Sequence, residues 1–246
     1  MSFSQFLQES VNDKGTFKCL FITSSPLAGK SYTLSKIKGG EFPVRIVNTD
    51  IATEFLANKY KISQTDAYNI IGGKKIKRMT REILYHTMNG VLPMIVDGTS
   101  ADQMNLLKRK GIVEGLGYDT AMIFIDVELD TVLKRLRKII AGDDPNRKRA
   151  VDEDFLIKAY HKTRNLKPFY QSQFKEFHTI KANDGDLTDR VILQSFNKLQ
   201  RFFNGPKNTI AQMNIDKMRQ NEEEYLVPSI LTESQLKKQI DGWYND

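Results

Sequence analysis

Five short runs of apolar, β-branched or aromatic residues alternate along the chain with segments of helical spacing. The runs cover residues 17–23, 44–48, 93–96, 121–127 and 177–181. Strands that alternate with helices in this way form β-α-β units, in which the strands run parallel. The pattern therefore predicts an α/β protein with three α/β/α layers around a five-stranded, mostly parallel sheet.

The same pattern predicts where the chain divides. Residues 141–150 are polar and rich in turn formers, which predicts a loop able to close as a lid. A long helix is expected over 152–173. Gly205 and Pro206 mark a boundary, so we expect one domain over residues 1–204. Residues 205–246 are expected to form a helical appendage packed on the core, or an arm that binds a partner.

Composition and charge narrow the class of protein. The chain has 246 residues, of which 40% are hydrophobic and 27% charged, as in soluble globular proteins. No apolar run approaches the roughly 20 residues that span a bilayer, so no membrane association is expected. The single cysteine, Cys19, fits a core position and a cytoplasmic location. The net charge of +7 favours a polyanionic partner such as nucleic acid, although a smaller phosphate-bearing ligand could use part of such an excess.

The segment 24–31 lies between the first predicted strand and a predicted helix and reads S-S-P-L-A-G-K-S. Except at its first position it is the phosphate-binding pattern G-x-x-x-x-G-K-[ST]. The residues expected to contact ATP are Ser24, Ser25, Pro26, Leu27, Ala28, Gly29, Lys30, Ser31 and Tyr32. Lys30 would reach the β- and γ-phosphate oxygens, and the Ser31 hydroxyl would ligate Mg²⁺. Because Ser24 replaces a glycine, the loop must leave the strand with a negative φ or carry strain.

Two further predicted strands end in acidic residues. Ligands of open α/β sheets bind at the carboxyl ends of the strands, where Asp50 and the pair Asp97 and Thr99 would lie. Asp50 is a candidate general base for an attacking hydroxyl, and a helix cap by Thr49 or Asp50 is the alternative. Asp97 would face either Mg²⁺ or the acceptor, and a solvated turn is the alternative.

Several basic residues are candidates for phosphate contacts. Arg147 and Arg149, in the predicted lid, would stabilise charge on the transferred phosphoryl group, with Arg135 and Arg137 as weaker candidates. A phosphate-backbone surface could be formed by Lys74, Lys75, Lys77, Arg78 and Arg81 together with 108–110. A solvated charged helix face is the alternative interpretation.

These pieces, in order and spacing, resemble the zeta-toxin-like and polynucleotide-kinase-like P-loop kinases over residues 18–184. The matching segments are 24–31, 47–50, 95–100, 123–138 and 147–149. The resemblance implies transfer of the γ-phosphate of ATP to a hydroxyl. It also implies that Asp50 is the general base, that Lys30 and Ser31 contact ATP·Mg²⁺, and that Asp97 and Thr99 face the acceptor.

We expect an acceptor hydroxyl on nucleic acid, most specifically on 5-hydroxymethyluracil in DNA, since some phage-encoded members of this broad group phosphorylate that base. Three alternatives stay open. The acceptor could be a nucleotide sugar or another small metabolite, as in zeta-toxin-like kinases, or the 5′-hydroxyl of a polynucleotide. The chain could also bind ATP without catalysis. The sequence does not specify the identity of a protein partner.

Overall fold

Five parallel strands form one sheet at the centre of the molecule. The computed structural model describes residues 15–37, 44–63, 66–67, 70, 73–98, 102–142, 152–220 and 233–244. The strands are Lys18–Ser24 (β1), Arg45–Val47 (β2), Met94–Asp97 (β3), Asp119–Asp126 (β4) and Glu176–Lys181 (β5). Their order is β2-β3-β1-β4-β5, and every neighbouring pair is parallel. The predicted α/β fold with a five-stranded parallel sheet is confirmed.

Helices cover both faces of this sheet. Their bounds are Lys30–Ile37 (α1), Thr49–Tyr60 (α2), Gly73–Asn89 (α3), Gln103–Gly115 (α4), Leu129–Ala141 (α5), Glu153–Asn165 (α6), Lys167–Gln173 (α7), Asp189–Asn204 (α8), Thr209–Gln220 (α9) and Glu233–Tyr244 (α10). Among the described residues, none of these helices is both long and apolar enough to cross a bilayer.

The prediction of one long helix over 152–173 is wrong, because two helices, α6 and α7, meet at Leu166. Pro168 occupies the first turn of α7. A proline has no N–H to donate to the carbonyl of the residue four positions earlier, and inside a helix its ring clashes with that carbonyl. The chain therefore starts a new helix here.

Alternate residues of β1 pack on opposite faces of the sheet, as the spacing of a strand requires. Cys19 and Phe21 belong to one buried cluster, to which α3, α4, α7, α9 and α10 contribute. Leu20 and Ile22 belong to a second cluster, with α1, α5, α6 and α8. The centre of the sheet is therefore buried on both sides, as in all-parallel sheets.

The helix α2 stands apart from both of these clusters. Its buried residues, which include Ala52 and Leu56, pack with Ala67 and Ile76 in a third and smaller cluster. Ile76 lies in the first turn of α3. The α2 helix and the start of α3 thus form a small unit beside the main core.

The helices α9 and α10 contribute buried side chains, among them Ile215 and Leu236, to the same cluster as β1 and β4. The start of α9 approaches the turn before β4 very closely. A Cβ on Gly117, whose φ is +95°, would lie 2.9 Å from the backbone nitrogen of Ala211. The Asn208 amide also donates to the Gly117 carbonyl at 2.8 Å and to the Asp119 carboxylate at 2.9 Å. Gly117 is therefore required both for its backbone conformation and for this contact.

Candidate functional site

The phosphate-binding pattern forms the connection between β1 and α1. The strand ends at Ser24 and α1 begins at Lys30, so the loop lies at the carboxyl end of the sheet, as predicted. Ser24 is buried and does not have a positive φ, and its hydroxyl donates to the Ser25 carbonyl at 2.9 Å. The chain thus leaves the strand in a conformation open to any L-residue. A serine is sterically compatible where glycine is usual.

The left-handed backbone lies further along this loop, at Leu27 (φ +60°) and Gly29 (φ +83°). Arg135, on α5, supports this part of the loop from the side: its guanidinium donates to the Leu27 carbonyl at 3.2 Å and to the Ala182 carbonyl at 2.8 Å. It also pairs with Asp184 at 3.0 Å. Arg135 therefore ties the loop to the turn after β5, rather than lying free as a candidate lid arginine.

Lys30 points from the first residue of α1 to the end of the neighbouring strand β3. Its Nζ lies 2.6 Å from Oδ1 of Asp97, whose side chain is only 5% exposed. The other oxygen of Asp97 accepts from the amide of Asn48 at 3.0 Å. Three side chains from three separate segments thus form one network at the carboxyl ends of β1, β2 and β3. Asp97 lies at the predicted place.

Asn48 also settles how α2 begins. Its side-chain oxygen accepts from the backbone N–H of Ile51 at 2.9 Å, so Asn48 caps the helix. The alternative in which Thr49 or Asp50 is the cap is therefore wrong. Asp50 is an exposed residue in the first turn of α2, at the same edge of the sheet as Asp97. A carboxylate here gains from the positive end of the helix dipole whatever its chemical role.

Oxygen atoms suited to Mg²⁺ are present around this loop. Mg²⁺ is usually held by one or two carboxylates and by substrate phosphates. Ser31 is exposed at the second position of α1, and Asp97 supplies a carboxylate that is now in contact with Lys30. This donor set fits a metal that arrives with nucleotide phosphates. Within the described part of the chain, no group of three or more His, Cys, Asp or Glu side chains could hold a metal ion by itself.

Three predicted site residues, Thr99, Arg147 and Arg149, lie outside the described residues, as does most of the predicted lid. Arg137 is exposed on α5.

The predicted basic surface is only partly available. Arg81 pairs with Asp241 of α10 at 3.5 Å, and Lys110 pairs with Glu114 at 2.7 Å. The helix α10 packs against both α3 and α4. Lys74, Lys75 and Arg78, in contrast, are exposed and line a groove at the start of α3.

The structure assigns two residues of the site, Asn48 and Arg135, roles that were not predicted from the sequence. The string V-N-T-D at 47–50 contains Asn48 as well as Asp50, and asparagine is a strong helix cap. The sequence therefore contains a signal for a cap at Asn48, although the cap was predicted at Thr49 or Asp50. Arg135 offered no such signal for its loop contact, because its partner Leu27 lies far away in sequence.

No family model matches the chain, and no curated protein matches it in sequence. A solved structure of a candidate kinase from Chloroflexus aurantiacus is similar to this chain with a TM-score of 0.52. The two chains are 12% identical, and the match covers 75% of this chain and 97% of the other. At that identity the likeness concerns the fold alone, a parallel α/β sheet covered by helices on both faces.

Two further matches, with lower TM-scores, are a kinase structure and a toxin–antitoxin structure. The shikimate kinase of Bacteroides thetaiotaomicron is 16% identical over 76% of this chain and 99% of its own, with a TM-score of 0.42. A structure of the PezAT toxin–antitoxin system of Streptococcus pneumoniae is 16% identical over 90% of this chain and 97% of its own, with a TM-score of 0.44. Such TM-scores say nothing about the substrate of this chain, and the resemblance to zeta-toxin-like or polynucleotide kinases stays a prediction.

Proposed function

We propose that this protein is a kinase that transfers the γ-phosphate of ATP to a hydroxyl group. The observation that carries the proposal is the position of Lys30. It opens the helix after a phosphate-binding loop, and its Nζ lies 2.6 Å from an aspartate at the end of the adjacent strand. Backbone N–H groups at a helix start attract phosphate, and the lysine adds a positive charge at the same place.

In the proposed reaction Asp50 accepts the proton of the acceptor hydroxyl. The hydroxyl oxygen forms a bond to the γ-phosphorus while the bond from that phosphorus to the β–γ bridging oxygen breaks, and ADP leaves with the electron pair. Lys30 exchanges its contact with Asp97 for the phosphate oxygens. Gly29 and the loop backbone hold the β-phosphate through N–H groups, and Arg135 keeps the loop in place through the Leu27 carbonyl.

Ser31 and Asp97 are the residues that would hold Mg²⁺, which neutralises charge on the β- and γ-phosphates when it is bound. Arg147 and Arg149 are proposed to stabilise the charge that spreads over the transferred phosphoryl oxygens. Thr99, which follows Asp97, is proposed to face the acceptor.

For the acceptor we propose a hydroxyl on DNA, most specifically that of 5-hydroxymethyluracil. The net charge of +7 and the exposed lysines and arginine at the start of α3 support a polyanionic substrate. Chemistry on a base requires that the base leave the stack or be reached through a groove. The small-metabolite alternative is retained because part of the basic excess serves ATP itself. A cytoplasmic location stays a prediction that rests on the single buried Cys19.

The experiment supplies ATP labelled on its γ-phosphate together with a panel of acceptors. The panel contains DNA with 5-hydroxymethyluracil, unmodified DNA ends, RNA ends and nucleotide sugars. We expect label on the modified DNA, and label found only on a small molecule would contradict the DNA proposal while leaving the kinase proposal intact. ATP binding without label on any acceptor would favour a module that only binds ATP.

The matched variants for this assay are Lys30→Met and Lys36→Met, which remove the same charge from the same helix α1. Transfer should fall about 10²–10³-fold in Lys30→Met, because it loses a charge that acts on the phosphoryl oxygens. It should be nearly unchanged in Lys36→Met, whose lysine is exposed in the last turn. Equal activity of both variants would contradict the proposed role of the loop.

A further inference from the structure

We propose that a surface formed by Lys59, Tyr60, Lys74, Lys75 and Arg78 binds the phosphodiester backbone of the DNA strand that carries the acceptor hydroxyl. We call it the α2–α3 basic surface, since it joins the end of α2 to the start of α3. The proposal rests on the proposed function and adds to it where the substrate strand is held outside the reaction centre.

Tyr60 is the centre of this surface. It is the last residue of α2, and 48% of it is exposed. Two lysine ammonium groups from different helices approach its ring: Lys59 at 5.7 Å and Lys75 at 5.9 Å from the ring centroid. An exposed aromatic ring flanked by cations suits a strand whose phosphates meet the lysines and whose bases stack on the ring.

The positive charge of this surface is its second feature. Among the described residues, none of its four cations forms an ion pair with a carboxylate, whereas Arg81 and Lys110 each have one. Glu82 is the acidic member of the groove that Lys74, Lys75 and Arg78 line. The groove thus keeps an excess of positive charge, which is the requirement for binding phosphates by release of counterions.

Distance from the reaction centre favours a polymer over a small acceptor. Tyr60 lies ten positions after Asp50 on one helix, which corresponds to about 15 Å along the helix axis. That length equals about four steps of a nucleic-acid strand at about 3.4 Å per step. A metabolite held against Asp50 does not reach this surface, but the backbone beside a reacting nucleotide does.

The small cluster under α2 and α3 gives this surface a firm base. Leu56 and Ala57 on α2 pack with Ile76 on α3, so the two helix ends that carry the cations are held together. The surface is a property of the packed helix pair rather than of one charged segment.

The test measures binding of a fluorescent single-stranded DNA oligonucleotide without ATP, across a range of salt concentrations. In the double variant Lys75→Glu/Arg78→Glu we expect affinity to fall at least about tenfold at 0.1 M salt. The slope of log K against log salt should fall by about 1.4, the value for two lost phosphate contacts on a single strand. The control Lys198→Glu/Lys217→Glu makes the same charge change at exposed positions on α8 and α9 and should shift affinity less than about twofold.

The same proteins are then assayed for phosphoryl transfer. In Lys75→Glu/Arg78→Glu the KM for DNA should rise at least about tenfold while the KM for ATP is unchanged, since the surface lies away from the phosphate loop. Unchanged DNA binding, or unchanged KM for DNA, would overturn the surface and leave the kinase proposal standing. Absence of transfer by the wild type to any acceptor would instead overturn the proposed function. Should the double variant fold poorly, Lys75→Gln/Arg78→Gln replaces it, with the same criteria.

Discussion

Two lysine–aspartate pairs lie at opposite ends of the sheet, and both have an Nζ to oxygen distance of 2.6 Å. Lys18 and Asp119 begin β1 and β4 at the amino end, whereas Lys30 and Asp97 meet at the carboxyl end. The chemistry of the two pairs is the same. Their surroundings differ.

In the pair at the amino end, the lysine is enclosed by protein. Lys18 is 4% exposed, and its ammonium also donates to the Pro206 carbonyl at 2.8 Å. Asp119 receives a further hydrogen bond from Asn208, so the segment before α9 completes the pair. This lysine is almost fully buried and joins the C-terminal segment to the sheet.

In the pair at the carboxyl end, the lysine is more exposed than Lys18 is in the other pair. Lys30 is 19% exposed, and Asp97 is the only carboxylate found within 4 Å of its ammonium among the described residues. Asp97, at 5% exposure, is fixed by Asn48 instead. The same type of ion pair is therefore held on both sides at the amino end, whereas at the carboxyl end the cation is free to exchange its partner for a ligand, as the proposed function requires.

We expect the largest effect, a loss of kcat, from a substitution of Asp50 at the carboxyl end of the sheet. We expect Asp50→Asn to lower kcat about 10²–10⁴-fold, because the amide cannot accept the proton of the attacking hydroxyl. The KM for ATP should stay the same, since Asp50 is not part of the phosphate loop. Steady-state kinetics on the labelled acceptor measure both constants.

Glu54→Gln is the control for that variant, because it removes the same charge from an exposed position one turn later on α2. It should retain full activity. If the two variants have equal kcat, Asp50 contributes only to the start of the helix and not to the reaction.

The second largest effect is expected when the Lys18–Asp119 ion pair at the amino end of the sheet is broken. Lys18→Met should lower the free energy of unfolding by about 1–3 kcal/mol, because the Pro206 carbonyl and one Asp119 oxygen lose their donor. Transfer by the folded protein should not change. Urea unfolding measures the loss, and Lys110→Met, which breaks a more exposed pair within α4, should cost about 0.5 kcal/mol or less. A loss no greater than that of Lys110→Met would show that the Lys18 pair is not structural.

The smallest expected effect concerns His178 on the edge strand β5. Burial, helped by the nearby charge of Lys198, lowers the pKa of His178 below its usual value. Below about pH 6.5 the unfolded chain therefore binds a proton that the folded chain resists, so folding stability should fall as the pH falls from 7 to 5. Thermal unfolding should show a smaller drop for His178→Gln than for the wild type. An identical drop in both proteins would contradict this pKa shift.

The strands and the phosphate loop could be predicted from the sequence because their signals are local. The central strands β1, β3 and β4 are largely buried and so appear as short apolar runs, and the loop has a fixed spacing of glycine and lysine. The position of Asp97 followed from the same rule, since it ends a strand. Even the departure at Ser24 is explained locally, as this residue remains in the strand.

The supports of the site could not be predicted in the same way. Arg135 reaches Leu27 across 108 positions, and the contact exists only after β1, β4 and β5 have assembled. The break at Leu166 depends on one proline inside an otherwise helical pattern. Thr49 and Asp50 are not the cap of α2, because the side chain of Asn48 accepts the hydrogen bond from the Ile51 N–H instead. Long-range side-chain partners are therefore the part of this site that required the structure.

The most direct measurement of the central claim compares Lys30→Met with Lys18→Met in one transfer assay, under conditions where both variants are folded. We predict that Lys18→Met transfers phosphate at the wild-type rate and that Lys30→Met is slower by about 10²–10³-fold. Equal rates in the two variants would contradict the claim that the carboxyl-end pair serves phosphoryl transfer while the amino-end pair serves stability.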